Sequence, residues 1–182
     1  MNTPLTHIDE HGRARMVDVT GKPLTRRVAV AKCAVLTCAD ATKVLAETPD
    51  GLDMVEAARF AGIQAAKRTA SLIPLCHSIR IDHVSVEVVV ASDRVDISSV
   101  TAITERTGVE MEALTACAVA AATLVKALIE VDPEASIEDL TLWHKSGGRS
   151  GDWLRQGPDG QMTHHDELPS AAIDTAPGAS RR

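Results

Sequence analysis

The stretch GVEMEALTACAVAAATLVKALIEV, residues 108–131, decides the fold that this sequence predicts. Its apolar residues recur at alternating steps of three and four, which places one apolar stripe along a helix: Leu114, Cys117, Ala121, Leu124, Leu128 and Val131. Thr107 and Glu110 have the spacing of a capping box at the helix start, and Asp132-Pro133 predicts its end. Such a helix needs a sheet or another helix to cover its stripe.

Strands are predicted on both sides of this helix. Residues 79–90 and 94–103 are rich in β-branched residues, and Ala91-Ser92-Asp93 between them is typical of a hairpin turn. Residues 25–37, TRRVAVAKCAVLT, predict an earlier strand, and residues 137–143 predict a last one. The apolar stripe therefore has a sheet to pack on.

Two more helices and one short strand complete the predicted order. Residues 40–46 predict a short helix, and the Ala-rich residues 53–71 predict a longer one that Pro74 ends. A short strand is predicted at residues 13–19. The order of strand, helices, hairpin, helix and strand matches an α+β ferredoxin-like sandwich, with helices packed on one face of an antiparallel sheet.

Length and composition predict one domain followed by a tail. The chain has 182 residues, of which 45% are hydrophobic, enough for one core within residues 1–154. From residue 155 onward Gly and Pro interrupt a polar stretch, which predicts a disordered tail over residues 155–182. His164-His165 in this tail is expected to be solvated rather than a metal site.

Charge, aromatic content and cysteine spacing exclude several functional classes. The net charge is −6 and the aromatic side chains are Phe60, Trp143 and Trp153, so nucleic-acid or membrane-surface binding is not expected. The four cysteines lack metal-binding spacing, and we expect them to be reduced and mostly in the core. Because it has neither a membrane-length apolar run nor a secretory signal, the sequence predicts a cytoplasmic protein.

Two cationic segments are candidates for an anion site. Residues 145–152, KSGGRSGD, follow a predicted strand and combine Lys145 and Arg149 with glycines whose backbone amides can converge on a phosphate or carboxylate. Residues 9–32 carry six cations against three acids. A plain exposed loop and an edge strand with solvated charges explain the two segments equally well.

Three further groups have both a functional and a structural explanation. Lys67 lies near the end of a predicted helix, where a cation complements the helix dipole. His77 follows in an apolar turn and can bind a phosphate oxygen, although a structural histidine is the more common outcome. The capping box explains Glu110, so Glu112 is the acid left for ligand binding or proton transfer.

Four segments together resemble one enzyme family. In chain order they are LTHIDEHGRARMVDVTGKP (5–23), AGIQAAKRTASLIPLCHSI (61–79), TGVEMEALTA (107–116) and KSGGRSGD (145–152). They are similar, nearly word for word, to the signatures of cyclic pyranopterin monophosphate synthase, molybdenum cofactor biosynthesis protein C. The resemblance covers about residues 5–153 in the family's own order.

The resemblance implies a lyase of molybdenum cofactor biosynthesis. Members of this family convert cyclised dihydroguanosine triphosphate, a purine-derived nucleotide triphosphate, into cyclic pyranopterin monophosphate and release pyrophosphate. It also implies a ferredoxin-like fold and a hexamer of dimers with sites between subunits; we expect no metal and no cofactor. The residues carried over to substrate binding are Leu75, Cys76, His77, Met111, Glu112, Asp18, Lys22 and Arg27. The catalytic candidates are Lys67, Lys145 and, at the position of the family's acid, Lys126.

Three positions depart from the family pattern. The long helix has Lys126 where the family has its catalytic aspartate, and Ile129 where the family has a lysine. A further family lysine should fall near Asp50-Gly51-Leu52, where none occurs. Two alternatives to the synthase therefore stay open. One is a divergent paralogue that rearranges a related cyclised purine nucleotide in another pathway, and the other is a non-catalytic nucleotide-binding subunit.

Overall fold

The structure is a computed structural model that describes residues 7–156. In chain order its elements are β1 (Thr25–Leu36), α1 (Ala39–Glu47), α2 (Pro49–Ala66), α3 (Thr69–Leu72), β2 (His83–Val90), β3 (Arg94–Glu105), α4 (Glu110–Leu128), β4 (Ser136–Ser146) and β5 (Trp153–Leu154). The described strands form one antiparallel sheet in the order β2-β3-β1-β4-β5.

Helices α2 and α4 pack on one face of this sheet and build the main core. Alternate residues of β1 face the helices, and Ala29, Ala31 and Val35 are fully buried there. The stripe predicted for α4 is buried at Cys117, Ala121, Leu124 and Leu128. The α+β ferredoxin-like sandwich predicted from the sequence is therefore confirmed.

The opposite face of the sheet carries a smaller apolar cluster. It consists of Val28, Val30, Val100 and Ala102, with Trp143 packed against it. The Lys32 ammonium lies 4.7 Å from the centroid of the Trp143 ring, within reach of a cation–π contact. In the described part of the chain, no helix residue belongs to this cluster.

Most predicted elements are confirmed with shifted ends. The β2–β3 hairpin closes with the Ala91 N–H donating to the Arg94 carbonyl at 2.9 Å. Strand β2 begins at His83 instead of residue 79. Helix α2 begins earlier than predicted because the Thr48 hydroxyl accepts a hydrogen bond from the Gly51 N–H at 2.9 Å and caps it. It ends at Ala66, before the separate turn of α3.

Two local predictions are wrong. Residues 13–19 form no strand, and the pairing of this segment is a single bridge between Ile8 and Ala14. Strand β1, which follows this segment in the chain, is flanked by β3 and β4, so it has no open side with which residues 13–19 could pair. The capping box is also absent, since Val109 is the N-cap of α4 and no side chain bonds to its amides there. Glu110 pairs with Lys145 instead.

One carboxylate ties the end of α4 to the start of α1. The Oδ2 atom of Asp132 accepts hydrogen bonds from the Thr37 hydroxyl and from the Cys38 backbone N–H, both at 2.7 Å. These bonds, the Thr37 bond first, hold the pKa of Asp132 below its usual range. These two hydrogen bonds fix the end of α4 relative to the start of α1.

Helix α4 is, among the described helices, the one long and apolar enough to cross a membrane by length and composition. Half of its apolar window is buried inside the protein. Its buried side packs on β1 and β3, so α4 is the central helix of the core.

The described contacts continue to Arg155 at the start of the predicted tail. Its backbone N–H donates to the Trp143 carbonyl at 2.8 Å, and its Nε donates to the Leu142 carbonyl at 2.9 Å. The rest of the predicted tail from residue 157 onward, with His164-His165, lies outside the described residues.

Candidate functional site

A cavity of about 530 Å³ opens where the start of α4 meets three segments without regular secondary structure. These segments are residues 7–22, the turn at residues 73–79 and the glycine loop at residues 146–152, and β1 adds one side chain. The residues that line it are His7, Val17, Asp18, Val19, Lys22, Arg27, Leu75, Cys76, His77, Ile79, Thr107, Gly108, Glu110, Met111, Glu112, Arg149 and Ser150. We call it the main cavity.

Arg27 is held rigidly at this cavity by two backbone carbonyls. Its Nε donates to the Glu105 carbonyl at 3.1 Å, and its Nη2 donates to the Arg106 carbonyl at 3.2 Å. Its guanidinium lies directly against Gly148, where a Cβ atom would collide with it. Glycine is therefore needed at position 148, because a larger residue would displace the Arg27 side chain.

The glycine loop is shaped by a backbone conformation that side chains disfavour. Gly147, Gly148 and Gly151 have φ angles of 83°, 76° and 66°. The Gly147 N–H donates to the Asp152 carboxylate at 3.0 Å, which closes the loop on itself. The loop presents Arg149 to the main cavity, and within residues 7–156 this guanidinium makes no hydrogen bond or ion pair.

Lys145 reaches the main cavity through Glu110. Its ammonium lies 3.7 Å from the Glu110 carboxylate, and Glu110 lines the cavity whereas Lys145 does not. Because both side chains are about one third exposed, water screens this pair and it contributes little to stability. Its effect is to neutralise one of the acids at the cavity.

The turn at residues 73–79 brings an imidazole to the cavity. Leu75 has a φ angle of 67°, a left-handed conformation that costs a non-glycine residue energy. His77 Nε2 lies 2.9 Å from the Val17 carbonyl oxygen. A carbonyl only accepts, so Nε2 carries the proton in this bond, and His77 ties residues 7–22 to the turn.

Glu112 is the buried acid of the site. It lies in the first turn of α4, and 4% of its surface is exposed. Burial and, to a smaller extent, the nearby Glu110 charge raise its pKa to about 7, although a hydrogen bond from its own backbone N–H opposes the rise. Burial and the Glu112 charge also raise the pKa of the Cys76 thiol. The Glu112 carboxyl therefore exchanges its proton near neutral pH.

A second cavity of about 190 Å³ lies behind the first. It is lined by Lys67, Arg68 and residues of α3, and it shares His77, Ile79 and Glu112 with the main cavity. We call it the rear cavity. Lys67 thus lines a cavity that has Glu112 and His77 in common with the main cavity.

The predicted site residues fall into three groups in space. All eight residues carried over to substrate binding line the main cavity. Lys67 and Lys145 lie next to it, in the rear cavity and behind Glu110 respectively. Lys126 is exposed near the other end of α4 and lines neither cavity, and within the described residues it makes no ion pair with Glu130.

Sequence reasoning missed several residues of the main cavity. His7 and Glu110 line it but were not among the predicted site residues, and Arg149 was predicted only as part of a possible anion site. The signal for Arg149 was its place between glycines in the cationic loop. Glu110 was hidden by the capping box to which it was assigned. His7 lies within the segment of residues 5–23 that carries the family resemblance, but its own spacing does not mark it as a site residue.

The described residues offer no metal centre. No group of three or more His, Cys, Asp or Glu side chains within residues 7–156 is arranged to hold a metal ion. All four cysteines are free; Cys33 and Cys117 are buried, as expected, whereas Cys38 is exposed. The ionisable groups of the main cavity are its acids, its cations, two imidazoles and the Cys76 thiol.

Known proteins resemble this chain over the same region. The model of the MoaC family matches residues 16–148. A cyclic pyranopterin monophosphate synthase of Streptomyces griseus is 49% identical over 158 residues, which are 86% of this chain and 89% of the relative. A protein of the same name from Streptomyces coelicolor is 50% identical over 153 residues, 83% of this chain and 89% of the relative.

A third relative comes from Mycobacterium tuberculosis. It is named cyclic pyranopterin monophosphate synthase 2 and is 47% identical over 154 residues, 84% of this chain and 92% of the relative. The family model covers every residue that lines the main cavity except His7, Arg149 and Ser150. Since both the family model and these relatives cover most of the chain, it belongs to the MoaC family.

Proposed function

We propose that this protein is a cyclic pyranopterin monophosphate synthase that acts on cyclised dihydroguanosine triphosphate and releases pyrophosphate. The observation that supports this most directly is that eight residues from four separate segments line one cavity. They are the residues that the family resemblance assigns to substrate binding. A volume of about 530 Å³ is in the range of small-molecule sites.

The charges of the main cavity suit a nucleotide triphosphate. Lys22, Arg27 and Arg149 supply the cations, and a guanidinium can bind a phosphate through two parallel hydrogen bonds. Of the acids at the cavity, Glu110 is neutralised by Lys145, and Asp18 accepts two hydrogen bonds from Thr20. Arg149 has no hydrogen-bond or ion-pair partner among the described residues, so it is the cation most available to the phosphates of the substrate.

The proposed function is tested by pyrophosphate release. Purified full-length protein is mixed with cyclised dihydroguanosine triphosphate, and pyrophosphate is measured together with the cyclic monophosphate product. Stoichiometric formation of both is expected. A protein that binds this nucleotide without forming product would instead be a non-catalytic binding subunit, and one that forms a different product would be a divergent paralogue.

Arg149 provides a sharper test of substrate binding. We expect Arg149→Ala to weaken substrate affinity at least tenfold, because one charge-assisted contact to phosphate contributes about 1.5 to 3 kcal/mol. Isothermal titration with pyrophosphate and with the substrate measures this. Lys43→Ala, which removes an exposed cation of α1, is the matched control and should change neither affinity. Equal affinities for parent and Arg149→Ala would place the phosphates elsewhere.

The proposed assembly is a homo-oligomer, a hexamer of dimers, with sites shared between subunits. Lys126 follows Glu112 by 14 residues, about 21 Å along one helix, so a single chain cannot bring both to one reacting atom. If Lys126 takes part in catalysis with Lys145, the site must combine chains. We expect light scattering at micromolar concentration to show a dimer or larger species; a monomer with full turnover would contradict this. The proposed location is the cytoplasm.

A further inference from the structure

Glu112 is a buried acid shared by the two cavities. The residue belongs to the lining of both the main cavity and the rear cavity, and 4% of its surface is exposed. Within residues 7–156 it makes no ion pair with any cation. An acid buried without a counter-ion destabilises the fold, so its presence calls for a role in chemistry.

The ionisable groups around Glu112 come from every segment that packs against it. On its own helix the neighbour is Glu110, and on the turn at residues 73–79 the neighbours are Cys76 and His77. The rear cavity adds Lys67 and Arg68. The remaining groups across the main cavity are His7, Asp18, Lys22, Arg27 and Arg149.

The other acids of the main cavity are poorly placed to accept a proton. Asp18 is an acceptor for both the Thr20 N–H and the Thr20 hydroxyl, at 2.9 and 2.6 Å, and these bonds lower its pKa. Glu110 faces the Lys145 ammonium at 3.7 Å. Glu112 faces no cation and accepts a hydrogen bond only from its own backbone N–H, and its pKa of about 7 suits proton exchange at neutral pH.

The usual acid of this family cannot fill that role in this chain. Its position is held by Lys126, which is exposed, and Ile129 beside it is 54% exposed. Neither side chain lines a described cavity. Within one chain, Lys126 and Ile129 therefore give the main cavity no proton acceptor.

We propose that the Glu112 carboxylate is the general base that closes the cyclic phosphate, which makes it a catalytic residue in this chain. This inference rests on the proposed function. A substrate hydroxyl gives its proton to Glu112 while its oxygen forms a bond to the α-phosphorus. The bond from the α-phosphorus to the bridging oxygen breaks, and its electron pair leaves with pyrophosphate. The proton then passes from Glu112 to solvent, so the carboxylate is regenerated.

The experiment compares Glu112→Gln and Glu112→Asp with the parent in single-turnover pyrophosphate release between pH 5.5 and 9. The parent rate should rise with pH and level off, with a midpoint near 7, because the ionised carboxylate is the active form. Glu112→Gln, which keeps the shape but cannot accept a proton, should lose at least about a hundredfold in rate and lose the rising limb. Glu112→Asp should recover part of the rate, and its rate should still rise with pH.

Two controls separate chemistry from binding and folding. Substrate affinity of Glu112→Gln, measured by titration, should stay within about threefold of the parent. Glu130→Gln, the same substitution at an exposed position beyond α4, should leave the rate and its pH dependence unchanged. Glu112→Asp keeps the test valid if Glu112→Gln fails to fold.

The outcomes distinguish this inference from the proposed function. A parent that releases no pyrophosphate overturns both. The role of Glu112 alone is overturned if the parent is active and the rate of Glu112→Gln stays within tenfold of it. The same holds if the rate of Glu112→Gln rises with pH as that of the parent does. Loss of affinity equal to the loss of rate would also overturn it, because Glu112 would then be a binding residue.

Discussion

At the scale of single residues, burial of the Glu112 carboxyl makes the stability of the fold depend on pH. Its pKa rises from the usual 4.5 to about 7, so the folded state holds this proton more tightly than the unfolded state does. This contribution to stability is fully present below pH 4.5 and is lost as the pH rises through 7. The same burial that suits proton transfer therefore weakens the fold at alkaline pH.

We expect Glu112→Gln to stabilise the protein at pH 8 relative to the parent, because the amide removes a buried charge. The gain should be about 2 kcal/mol larger at pH 8 than at pH 5, given a pKa near 7. Urea unfolding of both proteins at the two pH values measures it, with Glu130→Gln as the control. A gain that does not change with pH would show that Glu112 titrates normally.

The sequence predicted the position of Glu112 better than the contacts of Glu110. Glu112 was left as the free acid of the helix start, and it does line the main cavity. Glu110 was assigned to a capping box because its spacing from Thr107 fits one. A cap depends on backbone angles just before the helix, and the contact of Glu110 with Lys145 on β4 depends on the folded chain. Neither can be derived from spacing.

At the scale of elements, Gly62 is a point of close contact between α2 and α4. A Cβ atom there would lie 2.8 Å from the Ala116 carbonyl oxygen and 3.1 Å from a methyl group of Val86. The glycine thus lets α2 pack on α4 and on β2 at once. Helix propensity alone favours alanine at this position, so packing decides the residue.

Gly62→Ala should destabilise the protein by about 1 to 3 kcal/mol, because backbone must move to admit the methyl group. Chemical denaturation measures this. Ala57→Gly, on the exposed side of the same helix, gives the baseline cost of glycine, about 1 kcal/mol. If Gly62→Ala were as stable as the parent or more so, the two helices would be farther apart than described.

Elements with a clear period were predicted well, and those that line the cavity were not. The stripe of α4 and the alternation of β1 reflect burial against one large surface, which a sequence records directly. Residues 13–19 have a similar alternation and form no strand. Val17 and Val19 line the main cavity together with Asp18 between them, so these valines contact a site and do not pack within a sheet. Periodicity alone does not separate these two kinds of burial.

At the scale of the whole molecule, α4 joins two distant regions. Glu112 at its start lines both cavities, and Lys126 near its end is exposed. We expect Lys126→Ala to change pyrophosphate release by less than threefold, since the side chain contacts no described cavity. A rate lost a hundredfold would mean that Lys126 serves a reacting centre shared between chains. The double change Lys126→Asp with Ile129→Lys should raise the rate if the family's own pair can be restored.

Residues 7–22 are expected to open locally more often than the rest of the fold. This segment lines the main cavity without a helix or strand of its own, and two described bonds join it to the rest of the protein. They run from the His77 imidazole to the Val17 carbonyl and from the Arg106 guanidinium to the Lys22 carbonyl, both at 2.9 Å. Because two such bonds cost little to break, its amides should exchange with deuterium long before those of β1 and α4. Ligand binding at the main cavity should slow that exchange first at Val19 and Lys22, which would reveal occupancy without any assay of turnover.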